Sequence, residues 1–446
     1  MNMLNRKSLY IFIIYTLFFL LYLPSFSESR DIRKTILDNG LEIVTLEDHR
    51  APIFVFQIWY RVGARNEEIG KTGVSHLLEH MMFKGTERYP KGELSRIVAR
   101  NGGNENAFTS EDYTAYFEKL SSDRLYLSLE LESDRMVNLI LDPAEVLLER
   151  DVVAEERRLR TEDDPSSQLI EEMNAMAFKV HPYRSPVIGW MNDIRSLTRD
   201  DLYTYYKTYY IPNNAIIVVV GDFDTEEIIS GIKRYFGKIP GGKDPPSLNV
   251  IEPEQMGERR VYLQKEAEIP YIFIGYHTPN FKDPDVYPLE VLSNILFSGK
   301  SSRLYKNLVY EKEAALFADG GYENLKVDPG LFSIYVGLRP GRGIEEVEEM
   351  IYQELEEIRK GAVSDKELQK AKNQIEAEFI FSQDSLFYQA MLIGIAETIG
   401  AGYEYLDKFA DNIRNVTIED IRRVTEKYLV KRNRTVGILI PEKRKE

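Results

Sequence analysis

Cysteine is absent from the 446 residues, which excludes disulfides and thiolate metal sites. Any metal must therefore rest on histidine and carboxylate. Histidine itself is scarce, with five in the whole chain. Beyond residue 23 no second long apolar run follows, so the body of the chain offers no candidate membrane span. An excess of positive charge is missing too. The formal net charge is −15, which argues against nucleic acid and anionic membrane surfaces as partners and reads most simply as solubility. What remains, 43% apolar and 29% charged, is a globular composition, and the length calls for at least two domains.

Residues 1–27 read as a secretory signal. Arg6 and Lys7 give a positive start, Leu9 to Leu23 an apolar run, Pro24 a break, and Ser25 and Ser27 a small-x-small cleavage pattern. Their removal takes the net charge to about −17. The expectation is an exported protein, periplasmic or secreted, with an uncleaved amino-terminal anchor as the alternative.

Strand-like and helix-like segments then alternate. Leu41 to Leu46 and Ile53 to Val62 have the β-branched and aromatic content of strands. A helix is predicted over Val74 to Phe83, capped by Thr72 and stopped at Gly85. Asp142-Pro143-Ala144-Glu145 is a strong helix start, and that helix should reach about Arg160. Ala215 to Val220 reads as a buried strand. From Ile239 to Gly257 the composition turns to Pro, Gly and charge, which sets a boundary between domains at 34–240 and 258–440. The second part repeats the order of the first. Strands fall at Arg260 to Gln264, Tyr271 to Tyr276 and Leu331 to Leu338. Helices fall near Tyr287 to Phe297, at Ser301 to Lys312, and from Ile344 and Asp365. The Glu-rich run Ile344 to Lys360 reads as a solvated helix face. The fold class is α+β, built of two related halves.

The most specific signal lies in Gly73 to Phe83. His76, Glu79 and His80 stand at i, i+3 and i+4 and project from one helical face. Two imidazoles one turn apart can reach a single cation, and the carboxylate between them can take a proton from a water activated there. The rest of the helix is apolar, and a buried Glu beside two His needs a charge partner, which a cation supplies. A catalytic zinc needs a third protein ligand and an open fourth position. The helix after Pro143 offers Glu149 and Glu156 on one face, with Val152 and Val153 between, while Glu155 points toward Arg158 and Arg160.

His76-x-x-Glu79-His80 followed by Glu156 resembles the M16 (pitrilysin) metallopeptidase family, in its short processing-peptidase-like (M16B) branch. The resemblance extends through His80-Met81-Met82-Phe83-Lys84-Gly85-Thr86, Asn106-Ala107-Phe108-Thr109 and Glu149-Arg150-Asp151-Val152-Val153. It continues through His181-Pro182-Tyr183, Pro212-x-Asn214 and Val219-Val220-Gly221-Asp222. The order of His and Glu is inverted relative to ordinary zinc peptidases, a hallmark of that family. The resemblance implies one Zn2+ per chain on His76, His80 and Glu156, with Glu79 as catalytic base and Glu149 as a supporting carboxylate. It also implies an edge strand, Asn106, Ala107 and Phe108, that pairs with substrate, and two halves closing like a shell over an extended peptide. His181 reads as a structural loop residue, and His49 and His277 as incidental.

One departure is visible. Self-sufficient members carry an Arg and a Tyr, seven residues apart, just after the Ser-Ser-Arg-Leu helix begins. Ser301-Ser302-Arg303-Leu304 is present here, but those positions fall on Val309 and Leu316, which cannot donate a hydrogen bond. The expectation is a zinc-bearing subunit whose Arg and Tyr come from an M16-like partner, with a homodimer as the alternative. Tyr305, Tyr310 and Tyr322 are the possible stand-ins. A non-catalytic, M16-like assembly subunit is the competing reading.

Overall fold

Two mixed sheets organise residues 31–442, the part of the chain that the computed structural model describes; the signal-like segment 1–27 lies outside it. The first sheet contains β1 (Ile32–Ile36), β2 (Glu42–Glu47), β3 (Ile53–Tyr60), β4 (Asn104–Thr109), β5 (Thr114–Ser121) and β6 (Ala215–Gly221) in the order β1-β2-β6-β3-β5-β4. The second contains β7 (Arg259–Glu266), β8 (Tyr271–Thr278), β9 (Ala315–Tyr322), β10 (Gly330–Leu338) and β11 (Arg434–Glu442) in the order β7-β11-β8-β10-β9. In each sheet one parallel pair, β2 with β6 and β7 with β11, is followed by antiparallel neighbours. Strand for strand, β7-β11-β8-β10-β9 repeats β2-β6-β3-β5-β4. The fold is the two-half α+β architecture expected from the sequence.

β6 shows why the centre of the first sheet is fixed. Its seven residues, Ala-Ile-Ile-Val-Val-Val-Gly, are all buried, because a strand covered on both faces must be apolar throughout. The edges are different. β4 reads Asn-Glu-Asn-Ala-Phe-Thr and has no fully buried residue, and its outer side is unpaired.

The segment 240–258 contains no helix or strand and joins the two sheets. Packing nevertheless crosses it in both directions. Helix Pro165–Ala177, from the first half, lies on β7, β8 and β11 of the second sheet. Leu169 and Met173 reach Gly275 and Gly437 there, where an added Cβ would come within 3.1–3.4 Å of them or of Leu331. Helix Leu386–Thr398, from the second half, lies on β3 and β6 of the first sheet. At its centre Gly394 sits so close to the Trp59 ring that a Cβ would fall 2.1 Å from it. Each half therefore covers part of the other's sheet, an exchange that periodicity alone does not reveal.

Two expectations need correcting. Ser301 to Lys312 is not an α-helix. Its main turn, Tyr305–Glu311, is a wider π-helix in which Lys312 N–H reaches back five residues to Asn307 O (3.0 Å). The Glu-rich helix Ile344–Arg359 is not simply a solvated face. Glu348 is buried and pairs with Arg260, because the helix packs Val347, Ile351, Leu355 and Ile358 inward.

Candidate functional site

The motif helix spans Val74–Met81 and buries Val74, Leu77, Leu78 and Met81 against the first half's core. Its start differs from the expected Thr72 cap. Gly73 takes the N-cap position in the left-handed region (φ 88°), where a Cβ would lie 2.5 Å from Ile188 O. The free N–H groups of Gly73 and Ser75 are instead taken by the Glu67 carboxylate, at 2.7 and 2.8 Å. Thr72 turns away to Asp193 (2.7 Å) and to the backbone N–H of Trp190 (2.9 Å). The second helix behaves as its sequence suggests. Asp142 accepts from Ala144 N–H (2.9 Å) and Glu145 N–H (3.1 Å), and Pro143 opens a helix that runs to Arg157. A π-helical turn, Arg158–Glu162, follows directly.

These two helices bring His76, His80 and Glu156 together, with one potential ligand atom of each within 4.8 Å of the others. Glu156 Oε2 lies 3.4 Å from His80 Nε2 and 3.9 Å from His76 Nε2, and the imidazole centroids are 4.7 Å apart. Ligands at zinc bond lengths of about 2.0–2.2 Å in tetrahedral array are separated by about 3.3–3.6 Å. The donor set fits a single divalent ion in spacing and in chemistry. Burial, together with His80 and Arg160, pushes His76 down to about 3, so its ring is neutral, the form that binds metal. His76 Nδ1 is buried without a hydrogen-bond partner.

The surrounding groups orient this set. Glu149 Oε1 holds His80 Nδ1 at 3.0 Å, which turns Nε2 of that ring toward Glu156. Lys84 Nζ sits on the other Glu149 oxygen at 2.5 Å. Burial opposes ionisation of Glu149, yet the hydrogen bonds from Lys84 and His80 hold its carboxyl below the ordinary value. Glu79 is raised, mainly by burial and partly by Glu156, against a hydrogen bond from Thr109 Oγ1 to its Oε2 at 2.5 Å. Arg160, expected beside Glu155, instead gives its Nη1 to Glu156 Oε1 at 2.7 Å, and Glu155 pairs with Arg158. Sequence reasoning missed Glu67, Thr109, Lys84 and Arg160 as parts of the site. The i, i+4 spacing of Glu156 and Arg160 was one available signal, and Lys84 and Thr109 stand in the runs that carry the family resemblance.

Asn106, Ala107 and Phe108 lie on β4, the free edge of the first sheet. Ala107 N–H is taken by the Asn106 side chain at 2.9 Å, and Phe108 packs edge-on to Trp59. His181 Nε2 meets Asp328 Oδ2 at 3.0 Å, and Asp328 also pairs with Arg65, so this loop joins the two halves. His277 bonds Ala177 O, and exposed His49 pairs with Asp222. Val309 is half-buried and Leu316 is 48% exposed on β9. Of the stand-in tyrosines, Tyr322 spends its hydroxyl on Pro279 O, and Tyr310 is 76% exposed.

Two family models cover most of the chain. Residues 42–190 match "Insulinase (Peptidase family M16)" and residues 196–375 match "Peptidase M16 inactive domain". The chain belongs to peptidase family M16. Among its relatives, this M16 chain is 35% identical to zinc protease PqqE of Helicobacter pylori, over 91% of this chain and 92% of that protein. It is 26% identical to the uncharacterized zinc protease YmxG of Bacillus subtilis, over 87% and 94%. Among solved structures, a protease from Helicobacter pylori superposes with a TM-score of 0.89 at 34% identity, over 92% of this chain and 100% of that one. An M16 inactive domain from Pseudomonas fluorescens shares the fold at 16% identity (TM-score 0.85, 93% and 99% covered). His76, Glu79, His80, Glu149 and Glu156 all fall within the first matched region of this M16 chain, and Val309 and Leu316 within the second.

Proposed function

We propose that this chain is a zinc-dependent peptidase that hydrolyses extended peptides, with His76, His80 and Glu156 as zinc ligands and Glu79 as general base. The convergence of two imidazoles and a distant carboxylate beside a second, hydroxyl-held carboxylate carries the reading. A scaffold protein has no use for that pair of features.

Bound zinc would supply Lewis-acid polarisation of a peptide carbonyl and of a water. The chain's own residues supply the rest. The Thr109 hydroxyl occupies Glu79 Oε2 and orients the carboxylate, so Oε1 accepts the proton of the attacking water and later delivers it to the leaving amine. Glu149 and Lys84 keep the His80 ring in its working tautomer. The β4 edge at Asn106, Ala107 and Phe108 pairs with the substrate backbone, which gives affinity without demanding a particular sequence.

The apolar residues at 309 and 316 support a second element of the proposal. The chain acts as the zinc-bearing subunit of a pair whose partner is M16-like and brings the missing Arg and Tyr, with a homodimer as the alternative. Export to the periplasm or beyond, read from residues 1–27, belongs to the same proposal. No helix among the described residues is long and apolar enough to cross a membrane.

The test combines zinc stoichiometry with a quenched-peptide assay on wild type and Glu79→Gln. Zinc bound in both, with turnover at least about 100-fold lower in the variant, is the expected outcome. Zinc bound and no turnover in either, even with co-purified partners present, would favour the non-catalytic assembly subunit.

A further inference from the structure

The helix that carries Glu149 and Glu156 does not simply stop at Arg157. It widens into the π-helical turn Arg158–Glu162, in which Asp163 N–H reaches back five residues to Arg158 O (2.8 Å). Such turns are rare and gather at functional sites. This one is fixed at both ends. At its start the buried Arg157 guanidinium bonds both oxygens of Glu171, at 2.7 and 2.8 Å, on helix Pro165–Ala177. At its close Glu162 O accepts from Lys265 Nζ on β7 of the second sheet, and Lys265 also bonds Gln168 Oε1 (2.7 Å). Arg160 lies between these anchors, so the second half helps to set its place.

The Arg160 side chain is 75% exposed, yet its one polar partner among the described residues is Glu156, which is 17% exposed. An exposed pair at i, i+4 adds little to helix stability. What it changes is the oxygen that Glu156 has to offer. Oε1 is taken by Arg160 Nη1 at 2.7 Å, and Oε2 is left facing His80 Nε2 (3.4 Å) and His76 Nε2 (3.9 Å). The neighbouring carboxylates are divided in the same manner. Thr109 takes Glu79 Oε2, while His80 and Lys84 take the two oxygens of Glu149. That leaves Glu156 Oε2 for an ion and Glu79 Oε1 for a proton.

A carboxylate with both oxygens free can bind a cation through one or through both. Binding through both fills a further coordination position, and a hydrolytic zinc must keep one open. A guanidinium on Oε1, in a charge-assisted bond, holds that oxygen away from the ion. We propose that Arg160 is a positioning residue for hydrolysis, which keeps Glu156 a one-oxygen ligand and so keeps a coordination position open for water. The proposal rests on the zinc peptidase reading above and goes beyond it.

The experiment compares zinc-loaded wild type with Arg160→Gln and Arg160→Lys. The contact is a single N–H bond and not a two-pronged one, so lysine can replace arginine at this position. Crystal structures of the three zinc-loaded proteins should show one Glu156 oxygen on the ion in wild type and Arg160→Lys, and two in Arg160→Gln. Quenched-peptide assays should show kcat about 10- to 100-fold lower in Arg160→Gln with KM unchanged, the range for a hydrogen bond to a charged group, and kcat restored in Arg160→Lys. One-oxygen ligation in Arg160→Gln, or an unchanged kcat, overturns the proposal while the peptidase reading stands. Should wild type cleave no peptide, the peptidase reading fails, and the crystallographic arm still decides whether Arg160 controls the Glu156 oxygens. Zinc bound away from Glu156 in wild type overturns both. Should Arg160→Gln not fold by circular dichroism, Arg160→Met is read in the same two arms.

Discussion

The hydroxyl of Thr109 donates to Glu79 Oε2 at 2.5 Å, so the free edge strand of the first sheet and the motif helix meet on one carboxylate. Removing that donor while keeping the shape, as Thr109→Val does, should leave zinc content intact. It should lower kcat by about 10-fold, since a hydrogen bond to a charged group contributes about 1.5–3 kcal/mol and only part of it is specific to the transition state. Metal analysis beside steady-state kinetics checks this, and an unchanged kcat would remove Thr109 from the mechanism.

Glu149 acts one layer out, through His80. In Glu149→Gln the ring loses its anionic partner and Lys84 loses its counter-charge. Zinc affinity should fall about 10- to 100-fold, read from competition with a chelating dye. Full affinity in the variant would make Glu149 a bystander.

How much of this was legible from the residues depends on how local the cause is. Asp142-Pro143 names its own helix start because the cap acts within three residues. The spacing of His76, Glu79 and His80 likewise contains its geometry. Glu67 was not legible as the cap of the motif helix, because it acts from six residues upstream through a turn that places its carboxylate over Gly73 and Ser75. Gly394 stands inside helix Leu386–Thr398, where glycine costs about 1 kcal/mol relative to alanine. Its reason, Trp59, is 335 positions earlier in the chain.

That contact gives a stability prediction. Gly394→Ala gains helix propensity but drives a methyl into the Trp59 ring, and overpacking of this kind costs about 1–3 kcal/mol. The variant should unfold at lower urea concentration than wild type with the motif residues untouched. A higher midpoint would show that helix Leu386–Thr398 shifts freely on the sheet.

Asp328 links pH to the joint between the halves. Burial opposes its ionisation, but hydrogen bonds from His181 and Arg65 hold the carboxyl below its ordinary value. A depressed folded pKa gives stability that is present above the unfolded value near 4 and lost as pH falls through the folded value. The difference in unfolding free energy between wild type and Asp328→Asn should therefore be level from about pH 5 to 7 and shrink below about pH 4. Urea titrations across that range test it, and a difference that grows on acidification would reverse the sign.

The traded helices make severance and separation two different events. A protease cut within 240–258 would break the one covalent path between the sheets, yet Trp59 would still be capped from one fragment and Gly275 and Gly437 from the other. The nicked protein should stay clasped through a sizing column. Either piece produced alone, stripped of its borrowed cover, would expose a bare apolar sheet face and aggregate.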